Sequence, residues 1–257
     1  MFLDPLNAIF IHIPKTGGNY VQTQFLSLGL SREKKVVVEH QDGVNRFGVE
    51  GSLTRAKHDA LIDYQFRMSA EAFSQVEIIF TYREPVSRLV SLYLSPHAWQ
   101  RERIRTRYTF GVLHRFLGPL TLRSATLAKF HSTIGQRRSF KQLTPDSYEL
   151  DSFNEMVQSV ASSQNFLDIG EGPLTNDVST MRFDSLNLDL RQFLASRGIS
   201  WQPDPNRVNE STNSTLAERM LRDDKIHDIV LSSHHGADLA LSPNRSDPPS
   251  ALGRWDG

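Results

Sequence analysis

A glycine-containing loop between an apolar strand and a helix constrains this chain more than any other sequence feature. Ala8–Ile13 is a short apolar run with β-branched residues, and the loop Pro14–Gly18 (PKTGG) follows it at once. A stretch with helical apolar spacing then continues to Leu28. In this order the backbone N–H groups of the loop and the positive end of the helix dipole converge on one anion, and Lys15 adds a charge beside them. We therefore predict an oxyanion-binding loop.

A second strand-to-helix transition follows at Val76–Tyr82. The tripeptide Arg83-Glu84-Pro85 comes directly after this run, and a helical stretch continues to about Leu94. Val36–Val38 is a further β-branched run. Apolar strands that alternate with helical stretches indicate an α/β fold, with a parallel sheet covered by helices on both faces. Because the carboxyl ends of parallel strands meet at one edge, we expect the two loops to face one crevice.

Composition narrows the possible functions. Lys+Arg and Asp+Glu both number 29, so the formal net charge is zero, which argues against a chain that coats nucleic acid by bulk charge. The absence of cysteine excludes thiolate zinc sites and disulfides and favours a reducing compartment. No window approaches the roughly 20 apolar residues of a membrane helix, and Met1–Pro5 lacks a basic-then-apolar leader. We expect a soluble cytoplasmic protein with no membrane span, no nucleic-acid partner and no metal site.

The order of residues in the loop differs from that of a Walker loop. The motif G-x-x-x-x-G-K-[ST] places lysine after the glycines, followed by a hydroxyl that holds magnesium, and no Gly-Lys pair occurs in this chain. A sulfuryl group carries less charge than a phosphoryl group, so a lysine and backbone amides can neutralise its leaving phosphate without a metal. The loop therefore favours sulfuryl transfer. The alternatives are a P-loop kinase or nucleotide hydrolase, and a non-catalytic nucleotide-binding module.

Two segments resemble a known enzyme family. Residues 9–18 (IFIHIPKTGG) resemble the 5′-phosphosulfate loop, and residues 83–93 (REPVSRLVSLY) the 3′-phosphate segment, of the sulfotransferases that use 3′-phosphoadenosine 5′-phosphosulfate (PAPS). The similar branch includes the heparan sulfate 2-O- and 6-O-sulfotransferases. The resemblance implies a P-loop-like parallel sheet flanked by helices, in the three-layer sandwich of the sulfotransferase fold. It also implies PAPS as donor, 3′,5′-diphosphoadenosine as product and a hydroxyl acceptor, most often on a carbohydrate.

The resemblance also implies roles for particular residues. The amides of the loop would hold the 5′ end of the donor, and Lys15 would neutralise the leaving bridge oxygen. Arg83 at a strand end and Ser91 on the next helix can converge on the 3′-phosphate; the alternative for Arg83 is an ion-paired surface cation. Asn209 either contacts the cofactor or caps a turn. The residues expected at the donor are Pro14, Lys15, Thr16, Gly17, Gly18, Asn19, Arg83, Ser91 and Asn209. Asn19 stands where the family usually has Thr or Ser.

A histidine is the expected catalytic base, because its ordinary pKa of about 6.5 suits removal of a hydroxyl proton. His58 lies between the two phosphate motifs and resembles the histidine base of the 2-O- and 6-O-enzymes. The alternative interpretation is a solvated loop histidine paired with Asp59. His40 is the reserve candidate, and a buried neutral role is expected for His12 in the first strand.

We predict a single domain over residues 1–241, with a helical insertion at about 97–170 and a flexible tail at 242–257. Residues 97–141 contain ten Lys/Arg and one acid, a net charge of +9. This basic stretch either faces an anionic glycan acceptor or packs as a solvated face against the acidic residues 142–194. A small metabolite or a peptide tyrosine remains open as acceptor. The absence of an anchor suggests a bacterial cytoplasmic enzyme.

Overall fold

The computed structural model describes residues 1–38, 46–50, 53–54, 58–94, 148–169, 174–203 and 214–243, with the backbone alone described at 35–38, 46–50 and 214. The chain divides into two compact units. The first comprises Met1–Arg83, Phe166–Glu210 and Leu241–Gly257, and the second Glu84–Asn165 and Ser211–Ala240. The predicted single domain, insertion and tail stay predictions, since residues 95–147 and 244–257 lie outside the described part.

The described strands are β1 (Phe2–Leu3), β2 (Ala8–Ile11), β3 (Lys34–Val38), β4 (Arg46–Glu50), β5 (Glu77–Tyr82) and β6 (Val178–Arg182). The described α-helices are α1 (Gly18–Ser27), α2 (Leu61–Gln65), α3 (Ala70–Ser74), α4 (Pro85–Tyr93), α5 (Leu150–Ser159), α6 (Gln164–Leu167), α7 (Leu186–Ala195), α8 (Ser214–Leu221) and α9 (Asp224–Leu231). Short 3-10 segments occupy Asp4–Leu6 and His234–Leu241. The α/β class is therefore confirmed. None of the helices in the described part of the chain has the length and apolar character of a membrane span.

The main sheet of the first unit has four strands in the order β1-β2-β5-β6. Strands β2, β5 and β6 are parallel, with Ile9 opposite Ile78 and Ile78 opposite Val178, whereas β1 is antiparallel to β2. The expectation of a wholly parallel sheet was wrong at β1, because the segment between Leu3 and Ala8 is far shorter than the dozen residues of a parallel crossover.

The β-branched run at Val36–Val38 forms a strand as predicted, but it does not join the main sheet. It belongs to β3, which pairs antiparallel with β4 in a separate two-stranded sheet with Val36 opposite Gly48. Only residues 39–45 separate the two strands. A connection of that length permits a hairpin and excludes a crossover helix, so the sequence neighbour becomes the pairing partner.

The core of the first unit lies against the two central strands. All four residues of β2 are fully buried. Phe25 of α1 and Phe193 of α7 pack in the same apolar cluster as Phe10, whose ring meets Phe25 edge-on at 5.5 Å between centroids. A strand buried on both faces reads as a continuous apolar run, and this explains the pattern AIFI. The buried strands fix the edge from which the glycine loop and Arg83 emerge.

The second unit is helical, and a buried polar cluster lies within it. Arg88 on α4 is fully buried; its Nη2 donates to Nδ1 of His235 at 3.1 Å and lies 3.6 Å from Oδ2 of Asp238. The Asp238 carboxylate also accepts from the backbone N–H groups of Ser163 (2.7 Å) and Gln164 (3.0 Å). Burial, followed by the charge of Arg88, lowers the pKa of His235 below its ordinary 6.5. The cluster therefore ties α4 to the 3-10 segment through a neutral imidazole and an ion pair.

Candidate functional site

The glycine loop makes a tight turn at the carboxyl end of β2. The strand ends at Ile11 and α1 begins at Gly18. Two residues between them have left-handed backbone, Lys15 with φ 69° and Gly17 with φ 88°. Left-handed backbone at a residue other than glycine costs about 1–2 kcal/mol, so Lys15 is held in a strained conformation by its surroundings. The turn brings the first residues of α1 to the sheet edge.

Thr16 attaches the loop to the sheet. Its side chain is fully buried, and its Oγ1 donates to the carbonyl oxygen of Ile13 at 2.8 Å and lies 2.5 Å from Oγ1 of Thr81 on β5. Since the Thr16 proton is used on the carbonyl, the Thr81 hydroxyl is the donor between the two threonines. The Thr16 hydroxyl is thus engaged within the protein. Only its backbone amide fits the predicted role at the donor.

The two glycines are required by packing inside the first unit. A Cβ added at Gly17 would lie 2.8 Å from Cδ2 of Leu186, and one added at Gly18 would lie 2.3 Å from Cδ2 of His12. His12 is 4% exposed, so the start of α1 rests directly on a buried imidazole ring. The sequence pattern explained the glycines by anion binding. The structure adds a steric reason that the sequence could not show.

Two cationic side chains lie together at this edge. Nη1 of Arg83, the residue after β5, donates to the backbone oxygen of Lys15 at 3.3 Å. The Arg83 guanidinium carbon lies 4.1 Å from the ring centre of Phe183, the residue after β6. Burial, followed by the positive charge of Arg83, lowers the pKa of Lys15 below its ordinary 10.5. Two neighbouring cations with reduced access to water favour the binding of an anion.

His58 lies beside the same loop. Its Nδ1 is 2.9 Å from the backbone oxygen of His12, and the two imidazole rings meet edge-on with centroids 4.5 Å apart. A carbonyl oxygen only accepts, so Nδ1 of His58 carries the proton of this hydrogen bond. In the neutral ring the lone pair that accepts a proton is then on Nε2. His58 is half-buried, and the adjacent Asp59 is buried with its Oδ2 2.7 Å from Nη1 of Arg67.

The first unit therefore brings together most of the residues predicted to bind the donor, with His58 beside them. Pro14 is buried at the start of the loop, and Asn19 lies in the first turn of α1, where its Oδ1 makes no hydrogen bond to any residue in the described part. Ser91 is on α4, in the second unit. Its predicted role with Arg83 stays a prediction. Asn209 and the reserve base His40 lie outside the described residues.

Sequence reasoning missed the supporting contacts of His12 and the place of Phe183 in this site. His12 was expected in the strand with a buried role; it is buried, but it lies just past the end of β2 and supports both Gly18 and His58. Phe183 follows β6, whose sequence VSTMR has only two apolar residues, so the sequence gives this strand and the residue after it little signal.

No protein-family model, curated protein or solved structure matches this chain. Within the ranges that the structure describes, no group of three or more His, Asp or Glu side chains is placed to hold a metal ion.

Proposed function

We propose that this protein transfers a sulfuryl group from PAPS to a hydroxyl group of an acceptor, the acceptor being a carbohydrate. One observation carries the proposal: Lys15, Arg83 and His58 belong to one unit, where Arg83 bonds the Lys15 carbonyl and His58 bonds the carbonyl of His12, whose ring lies against Gly18 of the loop. An anion site beside a general base is what transfer of an anionic group to a hydroxyl requires.

The residues present fit the donor. PAPS supplies an activated sulfuryl group on a phosphosulfate anhydride, with further negative charge at its 3′-phosphate. In the proposal the amides at the start of α1 and the Lys15 ammonium hold the 5′ end, and Lys15 offsets the charge on the departing oxygen. Arg83 binds the 3′-phosphate through N–H groups of its guanidinium, whose carbon lies 4.1 Å from the ring centre of Phe183.

His58 acts as the base in this proposal. Its Nε2 takes the proton of the acceptor hydroxyl, and the ring becomes an imidazolium. The Nδ1–H bond to the carbonyl of His12 holds the ring in orientation before and after the proton moves. It also stabilises the positive charge, because a hydrogen bond from a charged donor is stronger than one from a neutral donor. The hydrogen bond to the His12 carbonyl therefore supports both the neutral and the protonated ring of His58.

The buried hydroxyl of Thr16 favours sulfuryl transfer over a Walker-type reaction. In a Walker loop the hydroxyl that follows the lysine is a magnesium ligand. Here the hydroxyl after Lys15 donates to Ile13 and accepts from Thr81. That arrangement supports a loop that neutralises its ligand with Lys15 and backbone amides.

A transfer assay with radiolabelled PAPS tests the proposal. The acceptor panel contains anionic and neutral glycans, small hydroxyl metabolites and tyrosine peptides. We expect transfer by the wild type, and a fall in kcat of about 10²–10⁴-fold in both His58→Ala and His58→Asn. Asparagine at position 58 keeps an N–H for the His12 carbonyl but accepts no proton. Affinity for 3′,5′-diphosphoadenosine should change little in either variant.

His227→Asn is the matched control, because Nε2 of His227 also bonds a backbone oxygen, that of Leu221, at 2.9 Å. Its turnover should equal that of the wild type. Unchanged turnover in His58→Asn would remove His58 as the base. Binding of magnesium and ATP in place of the bisphosphate would establish the kinase or hydrolase alternative. Bisphosphate binding without transfer to any acceptor would establish the binding module.

A further inference from the structure

We propose that Phe183 is a positioning residue for the anion site: its ring holds the Arg83 guanidinium beside the glycine loop. The identity of the anion, the 3′-phosphate of the donor, rests on the function proposed above. The contact between the ring and the guanidinium does not.

The backbone places Phe183 beside Arg83. Phe183 is the first residue after β6, and its N–H donates to the carbonyl oxygen of Tyr82, the last residue of β5, at 2.8 Å. Arg83 is the next residue after Tyr82, so the parallel pairing of β5 and β6 sets the two side chains next to each other. The short distance between the ring and the guanidinium therefore follows from strand pairing.

The ring of Phe183 contacts both parts of the site. Besides lying under the Arg83 guanidinium, it lies against the loop, since a Cβ on Gly17 would be 3.1 Å from its Cδ2. Phe183 is nevertheless 41% exposed. Burial in the core does not explain a phenylalanine with that much of its surface in water. The contacts with Arg83 and Gly17 do explain it.

Contact with the ring suits an arginine that binds a phosphate. A cation–π contact attracts the guanidinium without a hydrogen-bond acceptor, so its N–H groups can still donate elsewhere, as Nη1 does to the Lys15 oxygen. A long flexible side chain that is already ordered loses less conformational entropy when it binds its ligand. Phe183 thus raises the affinity for the anion without touching it.

Calorimetric titration of the full chain with 3′,5′-diphosphoadenosine tests the inference. Phe183→Leu should weaken binding about two- to fivefold, the range expected for an exposed cation–π contact. Phe183→Tyr, which keeps an aromatic face, should restore the wild-type affinity. In an Arg83→Ala background, Phe183→Leu should have no further effect, because its action passes through Arg83. Phe66→Leu, at a residue of the same unit that is 51% exposed, is the control and should bind like the wild type.

The rate at which phenylglyoxal modifies Arg83, followed by mass spectrometry, gives a second readout that needs no nucleotide. Loss of the ring beside the guanidinium should make the modification faster in Phe183→Leu than in wild type or Phe183→Tyr. An equal rate in the three proteins overturns the inference, as does an equal loss of affinity from Phe183→Leu with and without Arg83. A wild type that binds no bisphosphate overturns the proposed function, while the phenylglyoxal rate still decides whether Phe183 holds Arg83.

Discussion

Replacement of Gly18 by alanine separates helix propensity from tertiary packing. Gly18 is the first residue of α1 and has no positive φ, so the replacement should stabilise the helix by up to about 1 kcal/mol on propensity alone. The structure predicts instead that the replacement destabilises the protein. The new Cβ would lie 2.3 Å from Cδ2 and 2.7 Å from Nε2 of the buried His12 ring. Overpacking of a well-packed site costs about 1–3 kcal/mol, and this ring has little room to move.

We expect Gly18→Ala to be less stable than the wild type by about 2 kcal/mol, the upper part of the overpacking range reduced by the propensity gain. Urea unfolding followed by far-UV circular dichroism measures this as a shift in midpoint at constant slope. Gly29→Ala is the matched control for backbone strain. Gly29 has φ 67° and no atom within 4 Å of an added Cβ. The Gly29→Ala protein should lose about 1 kcal/mol of its free energy of unfolding, because alanine is strained at this positive φ.

The same replacement in a His12→Ala protein tests whether the contact with the His12 ring causes the loss of stability. When His12→Ala removes the ring, Gly18→Ala should become neutral or stabilising, because only the helix propensity remains. Two results would refute the reasoning. One is a Gly18→Ala protein at least as stable as the wild type. The other is the same loss of stability with and without the His12 ring.

Two further predictions concern the buried cluster of the second unit. Asp238→Asn leaves the Arg88 cation without its counter-charge and should reduce the free energy of unfolding by about 3–5 kcal/mol. Arg88→Met should reduce the free energy of unfolding less, because Asp238 keeps the N–H donors of Ser163 and Gln164. In addition, Nε and Nη1 of Arg88 have no hydrogen-bond partner within the described ranges, so their removal breaks no bond there. A larger loss in Arg88→Met than in Asp238→Asn, measured by urea unfolding, would contradict this prediction. The second prediction is acid sensitivity. Burial lowers the pKa of His235 in the folded protein. Below pH 6.5, the ordinary pKa of histidine, the unfolded chain therefore binds a proton at this residue that the folded protein does not. Thermal unfolding midpoints should then fall as the pH drops below about 6.5. Burial alone would raise the pKa of Asp238, but the charge of Arg88 and the backbone N–H groups of Ser163 and Gln164 hold it below 3.8. A second loss should therefore follow below that value and be smaller in Asp238→Asn than in the wild type. Midpoints independent of pH from about 8 to 4 would show that His235 is not buried in neutral form.

The local sequence was sufficient to predict the strand-loop-helix segments and the α/β class. An apolar β-branched run followed by a glycine loop and a helical spacing has few alternative structures. At the second segment, Pro85 lies in the first turn of α4, and Glu84 is the N-cap, whose carboxylate accepts from two backbone N–H groups. The meeting of the loop and Arg83 at one edge also followed from sequence, because parallel pairing of β2 and β5 places their carboxyl ends together.

Only the tertiary structure decided how the site is supported. His58 bonds a carbonyl 46 positions earlier in the chain, and Thr16 contacts a threonine 65 positions later. The ring of Phe183 reaches Arg83 through the pairing of β6 with β5. Sequence periodicity reports which face of a segment is apolar, over the few residues of one helix or strand. It carries no information on which distant side chain fills the space beside a glycine or fixes the tautomer of a histidine, because those depend on the packing of segments far apart in the chain.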